Sequence, residues 1–165
     1  MQNKNQVCCP LFEPSKWDNK TFTWDKKPFL KESVPTLFHI PFPPMIGKKM
    51  NKMMAEADQA KANISDLTEA LVLFHDPSAF KSEIYYSVTE PVAGANNIAL
   101  SGRYVAGVFE GPYNSVPKHI KEMDKRLSGE NLKAKSYYVH YAYCPGCAKK
   151  VEHNYMVLFA ELEGN

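Results

Sequence analysis

NIALSGRYVAGVFEGPYNSVPKHIKEMDKRLSG, residues 97–129, carries a strand, a tight turn and a helix in one unbroken run. Residues 98–109 are rich in Val, Ile, Tyr and Phe, side chains that suit a pleated, half-buried surface. Gly111-Pro112 then imposes a turn, because Gly adopts backbone angles other residues avoid and Pro cannot continue a hydrogen-bonded ladder. Asn114 or Ser115 can cap the helix that follows, and Pro117 fits only its first turn. Val116, Ile120, Met123 and Leu127 recur at helical spacing, and Gly129 stands where that helix should stop. The reading sets the carboxylate of Glu110 at the mouth of a strand, with Tyr113 beside the turn. It makes this turn the leading site candidate in the chain.

Downstream, residues 135–143 (KSYYVHYAY) read as a strand with aromatics on both faces. Residues 154–163 read as the last strand, with Met156, Leu158, Ala160 and Leu162 on one face. Upstream, residues 83–88 read as a strand, and residues 69–74 as a short buried one broken by His75-Asp76-Pro77. Pro43-Pro44 opens a helix running to about residue 62, with Ile46, Met50, Met53, Met54 and Ala57 in one apolar stripe. Residues 34–42 form an edge strand, since Pro35 and Pro41 suit strand ends. Residues 1–33 read as an irregular N-terminal arm with a short edge strand at 21–24, packed on the body through Trp17 and Trp24. The body, residues 34–165, is strand–helix–strand–strand twice over. The expected fold is therefore α+β: two βαββ units joined about a pseudo-twofold axis into one antiparallel sheet. Helices cover one face, and a ligand groove forms on the other where the halves meet.

A chain of 165 residues with 44% hydrophobic content is one globular domain by size. Its net charge of +2, with basic residues scattered, gives no footprint for nucleic acid. No apolar run is long enough to cross a bilayer, so no membrane partner is expected. The opening MQNKNQVCCPLF lacks the apolar core of a secretory signal, which points to the cytoplasm, where thiols stay reduced. Nine Tyr and nine Phe favour a ring-lined pocket, although filling a core is the ordinary use of such residues. Oligomeric state is not written in the sequence.

The order of elements, together with VFEGPYNSVPKHIKEM, resembles the GyrI-like (gyrase-inhibitor-like) family over residues 34–162. More narrowly, the early CC, a W-D-x-K segment, FEGPY, and CPGCAK followed by NYMVLFA resemble a group of stand-alone bacterial and archaeal proteins often catalogued as hydrolases. The resemblance implies a small-molecule pocket between the halves, lined by aromatics and a carboxylate. GyrI-like domains attached to transcription regulators bind cationic, lipophilic compounds, and some stand-alone members are hydrolases that use pocket glutamates to direct water onto strained electrophiles. Glu110 matches the carboxylate and Tyr113 the motif tyrosine, and Trp24, Phe38, Tyr85, Tyr138, Tyr141 and Tyr155 are the candidate lining. The arm before Val34 and the cysteine segment depart from the general domain, and no DNA-binding helix pair precedes it.

An aromatic pocket would keep Glu110 from ionising readily and suit it to acid–base work. If it stays charged, it attracts a cation beside π faces. Glu83 can supply a second carboxylate, although a strand-start Glu is ordinarily solvated. Cys144-Pro145-Gly146-Cys147 is a compact knuckle that can aim two sulfurs at one metal, and Cys8 and Cys9, or else His140 and His153, can complete a structural zinc site. Reduced thiols, a redox pair and four unrelated cysteines are the alternatives. The five histidines form no constellation, and His119, on a helix flank, reads as solvated. No nucleophile-elbow serine or phosphate loop is present. Three functions follow. The first is binding of a small, partly apolar molecule, cations included. The second is hydrolysis of electrophiles with Glu110 activating water, and the third is a metal- or thiol-dependent interaction through the cysteines.

Overall fold

A computed structural model describes residues 9–164. In chain order the elements are β1 (Lys20–Leu37), β2 (Ile40–Pro41), α1 (Pro43–Gln59), β3 (Val72–Ser78), β4 (Lys81–Ser87), β5 (Asn97–Glu110), α2 (Val116–Gly129), β6 (Ala134–Tyr141), α3 (Pro145–Val151) and β7 (Tyr155–Leu162). Helices and antiparallel strands are thus mixed along the chain. It divides into two compact units, Thr23–Gly102, and Met1–Phe22 with Arg103–Asn165.

In the Thr23–Gly102 unit, β4 lies between β1 and β3, antiparallel to both. Alternation along β1 sends Leu30, Glu32 and Val34 to one face, where Leu30 and Val34 meet Ile84 of β4 and Met53 and Ala57 of α1. Of the apolar stripe expected on α1, Met53 and Ala57 are buried and Ile46 and Met50 pack against the cluster, whereas Met54 is exposed. Glu32 sits on the same face and is buried. Lys49 Nζ donates to its Oε2 at 2.9 Å, Lys52 pairs with Oε1, and Asn96 Nδ2 donates to Oε1 at 3.1 Å. Burial works to raise this carboxyl, but the Lys52 and Lys49 hydrogen bonds outweigh it and hold the group below its ordinary value. The opposite face of the sheet carries Phe29, Lys31, Glu83 and Tyr85, following the same alternation.

In the other unit, β7 lies between β5 and β6, again antiparallel to both. Met156, Leu158, Ala160 and Leu162 face Met123 and Leu127 of α2, together with Phe109 and Val139. Gly107 permits that approach, because a Cβ there would lie 2.5 Å from Met123 Sδ. The other face of this sheet is covered by the segment preceding β1 and by the start of β1 itself. Trp17, 6% exposed, and Phe22 pack their rings on Phe159 at 5.9 and 6.0 Å, and Phe12 meets Tyr155 at 5.3 Å. Asp18 Oδ1 accepts the Val108 amide at 2.9 Å, which fixes the same segment to β5.

Several expectations are corrected. Residues 20–33 are not irregular, since they form most of an 18-residue strand. Pro28 does not break that strand, because it stands at the end of the β1–β4 ladder, just before the Phe29–Ser87 pair, and its carbonyl still accepts the Val88 amide. His75-Asp76-Pro77 does not end β3, which continues to Ser78 through a register shift. Ser115 is the N-cap of α2 but makes no capping bond, since its hydroxyl donates to Pro112 O at 2.6 Å. The short helix α3 was not anticipated; it begins inside the C-P-G-C knuckle. Among the described residues, no helix is long and apolar enough to cross a membrane.

Candidate functional site

The β5–β7 register pairs Phe109 with Met156 and Glu110 with Tyr155. Phe109 goes into the α2-facing core, so Glu110, one residue on, projects from the opposite face at the strand end. The chain then turns at Gly111, where a Cβ would stand 3.0 Å from Ser115 Oγ. Gly111 N donates to Asn154 O at 3.2 Å and Asn154 Nδ2 donates back to Gly111 O at 2.7 Å. This reciprocal clamp holds the two strand ends together and sets His153 against Glu110. His153 Nδ1 donates to Glu110 Oε1 at 2.7 Å, and the imidazole stacks on Tyr155 with centroids 5.1 Å apart. A donating Nδ1 fixes the ring and turns Nε2 away from Glu110, the arrangement in which a carboxylate orients an imidazole for proton transfer.

Glu110, Gly111, Tyr113, Pro145, Ala148, Lys149, Glu152, His153 and Asn154 line a pocket of about 410 Å³. Its size is that of a site for a small organic molecule. Pro145, Ala148 and the Tyr113 ring supply apolar wall, while Glu110 and Glu152 against Lys149 leave an excess of negative charge. The enclosure in rings expected for Glu110 is not found, since its side chain is 46% exposed and its nearest partner is an imidazole.

The predicted lining residues do not all converge. Tyr113 lines the pocket and its ring meets Tyr141 edge-on at 5.0 Å, while Tyr155 stacks beneath His153. Tyr138 is buried in its own unit, edge-on to Tyr104 at 6.1 Å. Trp24 and Tyr85 both pack on Phe29 in the Thr23–Gly102 unit, at 6.0 and 6.2 Å. Phe38 is 70% exposed on the turn after β1, beside Phe80. Lys149, Glu152, His153 and Asn154 were not picked out as pocket residues. In the sequence, His153 stands out only as an alternative metal ligand.

The structure brings three of the four cysteines together. Sγ atoms of Cys9, Cys144 and Cys147 lie within 4.8 Å of one another, and none is in a disulfide. Cys8 lies outside the described residues. Cys144 N donates to Cys9 Sγ at 3.4 Å and Phe12 N donates to Tyr143 Oη at 2.9 Å, so two hydrogen bonds tie the early segment to the knuckle. Burial pushes the Cys9 thiol up to about 12 against the pull of the Cys144 amide, and the neighbouring thiols of Cys147 and Cys144 add to the rise. The Tyr113 phenol is raised by burial, with Cys144 and Cys9 contributing.

Two other polar groups are corrected. Glu83 is buried, not solvated: Tyr85 Oη donates to it at 2.7 Å, and Lys31 and Lys81 approach at 3.0 and 3.2 Å. Burial raises this carboxyl, yet those three donors together bring it down to about 2. A carboxylate so fully engaged is a poor proton acceptor, which favours Glu110 as the chemical group. His119 is 7% exposed and stacked on Phe109. Ser115, His119 and Glu122 have the composition of a triad but not its bonding. The Ser115 hydroxyl is spent on Pro112 O, so His119 Nε2 donates to Ser115 Oγ at 3.0 Å, and Nδ1 stands 3.8 Å from Glu122.

A family model described as bacterial hydrolase matches residues 1–162, so the chain belongs to the bacterial hydrolase family. The crystal structure of a hydrolase from Listeria innocua is similar with a TM-score of 0.61 and 12% identity, covering 89% of this chain and 93% of that one. At that identity the likeness speaks for the fold alone. No curated protein matches this chain.

Proposed function

We propose that the pocket beside Glu110 and His153 binds a small, partly apolar molecule carrying positive charge. The observation that carries this reading is an open pocket of about 410 Å³ with a carboxylate–imidazole pair, 2.7 Å apart, in its wall. Apolar surface from Pro145, Ala148 and Tyr113 gives contact area, and Glu110 and Glu152 supply the counter-charge. The GyrI-like reading agrees with it. Support comes from the strand arrangement inside each unit: first strand beside last, and last beside middle, with one helix after the first strand, as two βαββ units would have.

The Glu110–His153 hydrogen bond favours hydrolysis as a second reading, in keeping with the family. Water attacks the electrophilic carbon and its proton passes to the Glu110–His153 pair. Tyr113 donates a hydrogen bond to the leaving heteroatom, which departs with the proton returned by the pair. One set of variants tests both. Tetraphenylphosphonium, a lipophilic cation, should raise the melting midpoint of the wild type in proportion to its logarithmic concentration. Glu110→Gln should abolish most of that rise while leaving the response to a neutral aryl analogue unchanged. Turnover of strained electrophiles such as epoxides by the wild type, lost in both Glu110→Gln and His153→Ala, selects the hydrolytic reading. A wild type that responds to no cation and turns over no electrophile refutes both.

A further inference from the structure

We propose that Cys9, Cys144 and Cys147 bind a thiophilic metal ion, zinc in the first instance, as three thiolate ligands. The sulfurs come from two segments far apart in sequence, yet all lie within 4.8 Å of one another. Around a tetrahedral zinc, with Zn–S near 2.3 Å, sulfurs stand roughly 3.8 Å apart, so closure about an ion needs movements of about an ångström or less. Three soft sulfurs select zinc or a comparable thiophilic ion over hard, oxygen-seeking cations. The remaining tetrahedral position is left for water or a further side chain.

The surroundings fit a site made for a metal and not a chance approach. Cys144 caps α3 and Cys147 lies in it, 2% exposed, so the knuckle holds its two sulfurs on a fixed scaffold. Cys9 is held to that scaffold by the Cys144 amide, which donates to its sulfur at 3.4 Å, an outer contact that stabilises a thiolate ligand. The Phe12–Tyr143 hydrogen bond and the Phe12–Tyr155 ring contact fix the segment just beyond Cys9. A bound ion would therefore tie the early segment to α3, the helix whose residues Pro145, Ala148 and Lys149 form one wall of the pocket. Its role is to hold that wall in place, and it stands independently of what the pocket binds.

The test uses the full chain, purified under reducing conditions from zinc-supplemented cells. Elemental analysis should find stoichiometric zinc, and chelation should lower the melting midpoint, restored by zinc alone. Cobalt titrated into the stripped, reduced protein should give the near-ultraviolet sulfur-to-cobalt charge-transfer band. Cys144 is exposed, so Cys144→Ser should fold; it should weaken zinc affinity by at least about tenfold and dim the cobalt band. Cys147→Ser, at a buried position, should show the same metal loss, and circular dichroism decides whether it has also unfolded. A reduced wild type that takes up neither zinc nor cobalt overturns the proposal. So does a folded Cys144→Ser protein with undiminished zinc affinity, or protein from reducing cells that carries a Cys144–Cys147 disulfide and no metal.

Discussion

Glu83→Gln is the perturbation for which the structure gives a magnitude. The carboxylate is buried under three donors, Tyr85 Oη, Lys31 Nζ and Lys81 Nζ, and its pKa falls from the ordinary 4.5 to about 2. At about 1.4 kcal/mol for each pH unit of displacement, the preference for the ionised form is worth roughly 3 kcal/mol. Lys81 is half exposed and Lys31 partly so, which screens the attraction and brings the expectation to about 1.5–3 kcal/mol. A depressed carboxyl stabilises the fold above its unfolded pKa, and that contribution is lost as pH falls through the folded one. The wild type should therefore lose this increment between about pH 5 and pH 2. Gln keeps the shape and an acceptor for Tyr85 but has no charge to lose. Urea unfolding at neutral pH should show the variant less stable by the stated amount, with the gap closing as pH approaches 2. Glu32 is likewise held below its ordinary value, so the difference between the two proteins, not the wild-type curve, isolates Glu83. A gap that stays constant to pH 2 would assign the loss to packing and refute the electrostatic account, and no gap at neutral pH would refute the buried network.

Two further substitutions probe the unit that carries the pocket. Met123→Ala removes a side chain 1% exposed between α2 and β7, and should cost about 2–5 kcal/mol in chemical denaturation. A loss below about 1 kcal/mol would mean that α2 is not seated as described. Trp17→Ala should cost about 3–5 kcal/mol and expose the segment before β1 to limited proteolysis, because the Trp17 ring packs that segment on Phe159. Cleavage kinetics identical to the wild type would show that the segment is held by other contacts.

The run at residues 97–129 was legible because its signals agree. β-favouring residues stop at a Gly-Pro, a Pro sits in the first helical turn, and the apolar positions then change to helical spacing. β1 was not, because Pro28 and Pro35 look like breakers in a linear string. Whether a proline disrupts a strand depends on where it falls in the ladder: Pro28 stands just before the first β1–β4 pair, Phe29 with Ser87, and Pro35 is in the last, opposite Lys81. Glu83 and His119 were misread for a related reason. Polar residues become buried when partners arrive from other elements: Lys31 reaches Glu83 from β1, and Phe109 stacks on His119 from β5. Of the cysteines, the knuckle pair was legible from spacing. The approach of Cys9 depends on where the early segment docks, and spacing cannot state that.

Glu110 and Glu83 show why the chemistry resists a linear reading even where the fold yields to it. Both are glutamates at or near a strand end beside aromatic residues, and composition gives no reason to separate them. The separation comes from register. On β5, the side chains facing α2 include Val105 and Phe109, matched across the ladder by Ala160 and Met156. That apolar match fixes the β5–β7 pairing, since a slip by one residue would turn Glu110 toward α2 and Phe109 away from the core. With the register fixed, Glu110 stands opposite Tyr155, and His153, two residues before Tyr155, is carried to its carboxylate. Glu83 in its own unit stands opposite Ser33 on β1 and His75 on β3, with Lys31 two residues from Ser33, so its register delivers a cation instead. One carboxylate is thereby bound into a charge network and the other is left facing a cavity with an imidazole as its partner. Apolar packing on the far side of the strands in each unit thus decides which acid is available for chemistry.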